Sequence, residues 1–386
     1  MAARRTVLVV DDRIPTPDQD SGSACAFSWL TILSQAGFRV VFLPCDLRDA
    51  GRYSQAVRAL GVTVPEEGSF ASIEEALDRL APEADIAILS RAPVAQRLFD
   101  RLRSVSPRTR IVFNTVDLHH LRMRREAELT GDPDQARAAE DMRVVELGLV
   151  ERADATVVVS AYERDLLGKL LPRADVHHIP ILREVPADGE GVAVRLPAFL
   201  SRLVPVPRGR RDIVFVGGFS HAPNGDGIRW FVAEVWPLVL EAGLDRRLLI
   251  AGSHMPPGIM GLASRTIATL GHVEDLAGLF AKARVSIAPL RFGAGVKGKV
   301  VSSLGRGVPV VATRMAVEGT GLVHGRDVLA VETPAEMAAA IVRLCGDDRL
   351  WRRLSRHARR TFLRTHSLEA GRSKIMGLLD GLAARP

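Results

Sequence analysis

A glycine-rich, basic segment in the second half of the chain has the residue types of a phosphate site. Residues 291–299 combine three glycines with three cations, namely Gly293, Gly295, Gly298, Arg291, Lys297 and Lys299. Glycines let a backbone approach a ligand closely, and amide groups at the start of a helix attract anions. Cationic side chains in the same turn would add charge-assisted hydrogen bonds. The alternative is an ordinary strand-to-helix turn with solvated basic side chains.

The elements around this segment would hold it at the edge of a parallel sheet. Residues 285–290 are an apolar run with β-branched members, which predicts a buried strand. Residues 300–306 predict a helix that Gly307 ends, and residues 308–312 predict the next strand. The loop would therefore lie at the carboxyl edge of the sheet, where ligands bind in open α/β folds.

Similar units repeat along the chain and predict two doubly wound α/β domains. Short apolar runs alternate with helical segments in both halves, which indicates parallel sheets covered by helices. At 386 residues the chain is also long for one hydrophobic core. Several prolines and glycines interrupt the periodicity in the middle of the chain. We expect an N-terminal domain over residues 1–182, a linker over 183–211, a C-terminal domain over 212–366 and a terminal helix over 367–386.

The cysteines and the hydropathy pattern restrict the compartment. Cys25, Cys45 and Cys345 are scattered without metal-ligand spacing, which argues against zinc and for a reducing compartment. The apolar run near the amino terminus ends at Asp11 and is too short for a signal peptide or a membrane span. We expect a cytoplasmic protein.

The net charge of +7 raises the question of an acidic partner. Eight arginines cluster in the first half of the chain: Arg97, Arg101, Arg103, Arg108, Arg110, Arg122, Arg124 and Arg125. Such a face could serve nucleic acid, anionic lipid or a phosphorylated substrate, or it could simply be solvated. Aromatic residues make up 5% of the chain, too few for base-stacking platforms, so nucleic acid is not expected. Among the functional options we favour peripheral contact with an anionic membrane.

Two polar segments follow predicted strands of the first domain. Residues 18–23 (DQDSGS) come after the first strand, and residues 114–120 (NTVDLHH) come after the strand at 111–113. Aspartate and histidine at the carboxyl end of a strand could act as acid, base or hydrogen-bond partners of a substrate. The alternative for the second segment is an aspartate that caps a helix beside a structural histidine.

The run PLRFGAGVKGKV, followed by GRGVPVVAT, resembles the donor-nucleotide loop of retaining GT-B glycosyltransferases (glycosyl transferases group 1, family 4-like). The resemblance spans nearly the whole chain and is strongest over residues 214–318. It implies a GT-B fold, with two Rossmann-like doubly wound parallel-sheet domains facing a cleft. It also implies a retaining, hexosyltransferase-like enzyme that moves a sugar from a nucleotide-sugar to a saccharide or lipid-linked acceptor. Synthesis of a cell-surface polysaccharide or glycolipid, at the inner face of the membrane, is the expected setting. In this family the terminal helix often returns to the first domain.

The resemblance also assigns site residues. His119 is expected near the transferred sugar as the catalytic residue with Asp117 as its orienter, and Gly22 and Ser23 are expected on an acceptor-side loop. Donor contacts are expected from Gly217, Gly218, His221, Asn224, Gly252, Arg291, Gly293, Gly295, Val296, Lys297, Ser302 and Glu318. Many relatives carry arginine and lysine in the first donor loop, so phosphate binding here would depend more on Arg291 and Lys297. We expect no metal, and no cofactor besides the nucleotide-sugar donor substrate.

Ser302 departs from the family pattern. Many members place a glutamate there, whose carboxylate binds the donor ribose. A serine cannot supply two acceptor oxygens, and the loss of one charge-assisted bond would cost roughly 1.5–3 kcal/mol. Two hypotheses therefore stay open: an active, metal-independent retaining glycosyltransferase, and a catalytically inactive GT-B fold that serves as a binding or scaffolding subunit of a polysaccharide assembly complex. A GT-B enzyme of another reaction, such as an epimerase or a phosphorylase, is a third.

Overall fold

The computed structural model describes residues 5–186 and 209–385, and the chain folds into two compact units. The first unit comprises residues 1–17, 22–182 and 371–386, and the second comprises residues 18–21 and 183–370. Most of the segment that we expect to be a linker, residues 187–208, lies outside the described residues. Among the helices of the described residues, none is long and apolar enough to cross a membrane.

The first unit is built on a six-stranded parallel sheet. Its strands are β1 (Thr6–Asp11), β2 (Arg39–Pro44), β3 (Ile86–Ser90), β4 (Arg110–Asn114), β5 (Ala155–Val158) and β6 (Val176–His178). They pair in the order β2-β1-β3-β4-β5-β6. The connecting helices are α1 (Ser21–Gln35), α2 (Arg52–Ala59), α3 (Ile73–Leu80), α4 (Ala92–Val105), α5 (His119–Thr130), α6 (Pro133–Arg152) and α7 (Ala161–Leu170), with a 3₁₀ turn at Ala81–Glu83.

Burial explains why these strands are continuous apolar runs. All six residues of β1 are buried, as expected for a central parallel strand that has helices on both faces. Residues 62–64 (VTV) have the β-branched composition of a strand but do not form one. Only Thr63 forms a bridge there, with Val41 of β2.

The second unit repeats the design with a second six-stranded parallel sheet. Its strands are β7 (Asp212–Val216), β8 (Leu248–Ala251), β9 (Ile267–Gly271), β10 (Ala283–Ala288), β11 (Val310–Thr313) and β12 (Leu329–Val331). Its helices are α8 (Ala222–Trp230), α9 (Trp236–Glu241), α10 (Pro257–Met260), α11 (Leu276–Lys282), α12 (Gly298–Gly305), α13 (Arg314–Val317), α14 (Pro334–Gly346) and α15 (Asp348–Thr365), with a π-helical turn at Phe231–Val235. The core between sheet and helices includes Phe215, Phe231 and Ile287, each fully buried.

The strand order of the second sheet fixes where a ligand can bind. The order is β12-β11-β10-β7-β8-β9. Successive strands are added on one side of β7 up to β9 and on the other side from β10 onward, so the strand order reverses between the neighbours β7 and β10. This order corresponds to the 3-2-1-4-5-6 arrangement of the Rossmann fold, which binds ligands beyond the carboxyl ends of the strands at that point. The loops that leave β7 and β10 are therefore the structural candidates for a site.

The last helix, α16 (Leu368–Ala383), belongs to the first unit from Gly371 onward. A Cβ atom on Gly371 would lie 2.1 Å from a methyl carbon of Leu182, so the helix packs closely against the end of the first unit's main segment. Ion pairs also tie this end of the chain to the rest of the first unit: Arg5 is bound to Asp380 in the helix, and Arg385 just beyond it is bound to Asp175.

Candidate functional site

In the first unit, helix α5 begins at His119, just beyond the end of β4. The residue before it, Leu118, has no side chain that could accept a hydrogen bond from the first turn. Two buried carboxylates replace the missing cap: Glu163 accepts from the Leu118 amide at 3.0 Å, and Glu146 accepts from the amides of His119 and His120 at 2.9 and 2.8 Å. Three of the amide groups at this helix start are therefore occupied by protein carboxylates.

The predicted catalytic pair lies in this same turn. The distance from His119 Nε2 to Asp117 Oδ1 is 3.4 Å, longer than most hydrogen bonds of this type, and Arg122 Nε lies closer to the other carboxylate oxygen, at 3.0 Å. His119 and Asp117 are thus neighbours, and their catalytic roles stay a prediction. Val116, two residues before Leu118, has φ +64°, an unusual conformation for a β-branched residue. The backbone that presents His119 is held in a strained turn.

His120 has a structural role instead. Its Nδ1 lies 2.6 Å from Glu146 Oε2, and both side chains are almost completely buried. Buried charged groups are stable only when they are paired. His120 and Glu146 therefore form an internal support beneath the turn that holds His119.

The predicted acceptor-side residues lie in the first turn of α1. Gly22 and Ser23 follow Ser21, where the helix begins, and Ser23 is buried. The buried Asp11 pairs with the partly exposed Arg91 at the point where the strand order of the first sheet reverses, between β1 and β3. Burial raises the pKa of Asp11, and the Arg91 guanidinium opposes that shift.

In the second unit, the predicted first donor loop follows β7. Asn224, in the first turn of α8, is buried and donates a 2.6 Å hydrogen bond to the Gly218 carbonyl, while His221 lies at the start of that helix. A Cβ atom on Gly217 would lie 2.9 Å from Asn224, and one on Gly252 would lie 1.9 Å from the Gly217 carbonyl oxygen. Gly252 is required because the backbones after β7 and β8 touch, and Gly217 because the Asn224 side chain packs against it.

The predicted second donor loop follows β10. Arg291 binds Asp226 of α8 through two hydrogen bonds, one of 2.8 Å from its Nε, and these bonds raise the pKa of Arg291. Lys297 is buried, and its amine donates to the carbonyls of Ala294 and Gly295 in its own loop. Both cations are therefore at the loop, and both are engaged with protein groups in this structure.

The remaining predicted donor residues surround this loop. Gly293 and Gly295 have φ values of +146° and +63°, and Val296 between them and the helix is buried. Ser302 lies on α12, one turn beyond its start, and is partly exposed. Glu318 ends the short helix α13 after β11.

The start of α12 differs from the start of α5. Lys297 precedes the helix, no side chain among the described residues caps its first turn, and that turn holds no acidic residue. The partial positive charge of an uncapped helix start favours an anion, and the nearby lysine adds to it. The first amides of α12 and the nearby lysine are thus suited to bind a phosphate group.

A small cleft of about 30 Å³ lies beside the same loops, lined in part by Gly217, Gly218, Gly252 and His272. The short segment 18–21, which belongs to the second unit, covers it: Ser253 donates a 2.7 Å bond to the Gln19 carbonyl. Two members of the cleft region, Asp18 and His272, form a 3.3 Å ion pair.

With Glu274, Asp18 and His272 also form a group whose ligand atoms lie within 4.8 Å of one another, close enough to hold a metal ion. His272 and Glu274 are exposed or partly so, and exposed acidic groups commonly occur without a metal. The absence of a metal requirement thus stays a prediction.

Most of the arginines that suggested a membrane face are paired with acids. Six of the eight form ion pairs: Arg97 with Glu74, Arg101 with Asp78, Arg103 and Arg110 with Asp154, Arg122 with Asp117, and Arg124 with Glu128. These pairs offset much of the positive charge of the cluster and weaken the sequence argument for a membrane contact.

Sequence reasoning missed the internal partners of the two loops. Glu146 carried a usable signal, because it occupies the buried stripe of α6 together with Ala139, Leu149 and Val150. A glutamate on an apolar stripe must find hydrogen-bond donors. No signal in the sequence indicated that Asp226 would pair with Arg291, because 65 positions separate the two residues.

Comparison with known proteins bears on both fold and function. Residues 210–347, which include both predicted donor loops, match the family model of glycosyl transferases group 1. A curated relative, an uncharacterized 44.6 kDa protein in the cps region of Klebsiella pneumoniae, is 26% identical over 170 residues, which is 40% of this chain and 44% of that protein. The match thus spans less than half of the relative's length.

Solved structures match along almost the entire chain. Sucrose-phosphate synthase from Thermosynechococcus elongatus has a TM-score of 0.72 at 16% identity and covers 99% of this chain and 100% of its own. HepE from Anabaena, in complex with UDP and glucose, has a TM-score of 0.70 at 12% identity, covering 97% and 99%. TarM from S. aureus, in a complex that includes UDP and alpha-GlcNAc-glycerol, has a TM-score of 0.72 at 9% identity, covering 97% and 99%.

These matches confirm the GT-B fold that the sequence predicts, with its two parallel six-stranded sheets. The family match confirms the resemblance over residues 210–347. The chain has the GT-B fold and carries, over residues 210–347, the glycosyl transferases group 1 sequence pattern.

Proposed function

We propose that this protein is a retaining, metal-independent glycosyltransferase that moves a sugar from a nucleotide-sugar to a saccharide or lipid-linked acceptor in cell-surface polysaccharide or glycolipid synthesis. The observation that carries the proposal lies in the second unit, where β7 and β10 are neighbours. A glycine turn follows β7, and a basic glycine-rich loop follows β10 and leads into the uncapped start of α12. Such an arrangement suits a nucleotide diphosphate.

The chemistry depends on stabilising the nucleoside diphosphate as it leaves. Lys297 and the first amides of α12 would neutralise the negative charge that develops on it, in place of a divalent cation. As the bond from the sugar carbon to the phosphate oxygen breaks, the acceptor oxygen bonds to that carbon from the same face. The acceptor proton passes to the departing phosphate. His119 is assigned to contact the transferred sugar, as the family resemblance implies.

The relatives favour particular substrates. The HepE structure contains UDP and glucose, and the TarM structure contains UDP, so a uridine nucleotide is the first donor class to test. The relative from a cps region favours a role in cell-surface polysaccharide.

The experiment is a thermal-unfolding measurement with UDP, GDP, ADP, CDP and TDP in the presence of EDTA. A nucleotide that binds only the folded protein raises its melting temperature. We expect a rise with one nucleotide, unchanged when Mg²⁺ replaces EDTA. A rise that requires Mg²⁺ would contradict metal independence and direct attention to Asp18, His272 and Glu274. No rise with any nucleotide at millimolar concentration would contradict the donor site.

Transfer itself is tested with the donor sugar of the nucleotide so identified. We expect His119→Ala to lose transfer and to keep nucleotide binding, because the donor loops belong to the second unit. Analysis of the product anomer decides between retention and inversion. Full transfer by His119→Ala would remove this histidine from the active site.

The scaffolding hypothesis remains the second candidate because two observations favour it. Ser302 lacks the carboxylate that many relatives use, and Arg291 is engaged with Asp226. An inactive scaffold would show no transfer with any nucleotide-sugar, even where a nucleotide raises the melting temperature.

The proposal includes a cytoplasmic location with peripheral contact to an anionic membrane, and helix α15 supports this contact. The helix carries seven arginines against one acidic residue, Asp348. Four of the arginines are exposed at spacings of four, seven and four positions, which places them on one side of a helix: Arg349, Arg353, Arg360 and Arg364. The protein should sediment with vesicles rich in anionic lipid and not with neutral vesicles. If the Arg353→Glu/Arg360→Glu variant sediments with anionic vesicles as much as the wild-type protein does, this face of α15 is not the membrane contact.

A further inference from the structure

The amine of Lys299 lies inside the second unit, at the start of α12. Its Nζ is 2.6 Å from Asn224 Oδ1 and 5.3 Å from the centre of the Phe215 ring. Lys299 as a whole is partly exposed, whereas its partners Asn224 and Phe215 are both buried. Burial, together with the charge of the nearby Lys297, lowers the pKa of Lys299 to about 7. The amine of Lys299 therefore contacts protein groups and is not a solvated cation at the surface.

Asn224 transmits the contact of Lys299 to the first donor loop. Its Oδ1 accepts from Lys299, and its Nδ2 donates to the Gly218 carbonyl at 2.6 Å. The Gly217 backbone lies so close to the Asn224 amide that no side chain fits between them. Lys299, Asn224 and Gly218 therefore form a continuous chain of hydrogen bonds from α12 to the turn after β7.

We propose that Lys299 is a positioning residue of the donor site, which acts through Asn224 to hold the Gly217–Gly218 turn in the shape that receives the donor diphosphate. The inference rests on the proposed function, since it concerns the same site. It assigns Lys299 a different role from Lys297, whose amine lies within the glycine-rich loop itself. It also explains how this chain manages with an asparagine where many relatives have a phosphate-binding cation.

The charges near Lys299 predict how binding should depend on pH. Lys297 is the charged group whose field reaches the amine, and the Asp226 carboxylate on α8 is engaged by Arg291. A bound diphosphate would add negative charge and favour the protonated amine, so binding should take up a proton. Affinity should therefore weaken as pH rises from 7 to 9, a range in which a terminal phosphate, with a pKa of about 6, is already ionised.

The test is calorimetric titration with UDP at pH 7, 8 and 9, or with whichever of the other four nucleoside diphosphates raises the melting temperature. We expect Lys299→Met to bind at least tenfold more weakly than the wild-type protein at pH 7 and with no pH dependence. Lys299→Arg, which can still donate to Asn224, should recover binding without the pH dependence. Lys282→Met, at an exposed lysine of α11, is the matched control and should resemble the wild-type protein.

A double-mutant cycle separates positioning from direct contact with the ligand. Asn224→Ala should weaken binding as Lys299→Met does, and combining the two should add little, because both remove the same chain of hydrogen bonds. Additive losses would mean that Lys299 contacts the nucleotide itself and would overturn the proposal. The melting temperature of each variant without ligand shows whether the variant is folded. If Lys299→Met does not fold, the pH dependence of Lys299→Arg is compared with that of the wild-type protein instead.

The outcome also separates this inference from the proposed function. Wild-type affinity in Lys299→Met at every pH, combined with weakened binding in Lys297→Ala, would overturn the positioning role and leave the donor site intact. No binding of any of the five nucleotides to the wild-type protein would overturn both.

Discussion

Helices α5 and α12 both follow a strand of a parallel sheet, but the amide groups of their first turns differ in their hydrogen-bond partners. At the start of α5, the buried carboxylates of Glu146 and Glu163 accept hydrogen bonds from three consecutive amides. At the start of α12, no side chain of the described residues caps the turn, and Lys297 precedes it. The first turn is closed to an external anion, whereas the second is suited to one.

The comparison indicates a division of labour between the units. A turn whose amides are satisfied internally is rigid and can present a side chain, here His119, in a fixed position. A turn whose amides remain available can bind a phosphate, and the glycines around it let the ligand come close. We infer that the first unit positions a catalytic side chain and the second holds the donor nucleotide.

The largest expected effect, on the free energy of unfolding, comes from removing a carboxylate that caps the start of α5. Glu146→Ala leaves two amides and His120 without their buried acceptor, so the free energy of unfolding should fall by roughly 3–5 kcal/mol. Urea unfolding measures it, and Glu151→Ala, at an exposed position of the same helix, is the control. A loss no larger than that of the control would show that the carboxylate does not support the turn.

The next effect comes from removing the cation at the open turn. Lys297→Ala should weaken nucleoside diphosphate binding by one to two decades, which corresponds to roughly 1.5–3 kcal/mol for a charge-assisted bond. Calorimetric titration at fixed ionic strength measures it, with Lys282→Ala as the exposed control. Unchanged affinity would remove Lys297 from the donor site.

The buried amine next to the open turn predicts a pH dependence of stability. The pKa of Lys299 is near 7 in the folded protein and near 10.5 when unfolded, so the unfolded chain binds more protons between these values. Stability should therefore rise with pH across this window, by up to about 1.4 kcal/mol per pH unit, relative to Lys299→Met. Urea unfolding of both proteins at pH 7.5 and 9 measures the difference. Parallel stability curves would show that the amine titrates normally.

A gain of function tests the position that departs from the family. Ser302 is partly exposed, so Ser302→Glu can place a carboxylate there without burying it. If the ribose of the donor lies against this turn of α12, affinity should increase about tenfold, or about 1.4 kcal/mol. Ser302→Gln keeps the length without the charge and should gain less. Weaker binding in the glutamate variant would place the ribose elsewhere.

Much of the fold follows from local sequence, because both sheets consist of apolar runs separated by helices with clear boundaries. The break between α5 and α6 at residues 131–132 was predictable from a glycine followed by Asp132, which caps the next helix. The extent of single strands was less predictable. Residues 62–64 have a strand composition, but pairing depends on a neighbour that the local pattern does not specify.

The candidate site was predictable as a set of loops but not as a set of contacts. The glycine-rich loop and the Asp-Leu-His segment stand out because their residue types are unusual for connecting turns. The partners that determine their chemistry are distant in sequence, as with Asp226 for Arg291 and Asn224 for Lys299. Only the folded chain shows that Arg291 is already paired and that the Lys299 amine points to the interior.

Hydrogen–deuterium exchange with and without nucleotide tests the central contrast most directly. The nucleoside diphosphate that stabilises the protein should slow exchange at residues 217–224 and 291–299, while the amides of residues 118–120, already bonded to carboxylates, should change little. Slowed exchange confined to residues 118–120, with the glycine-rich loop unaffected, would contradict the assignment of the donor site to the second unit.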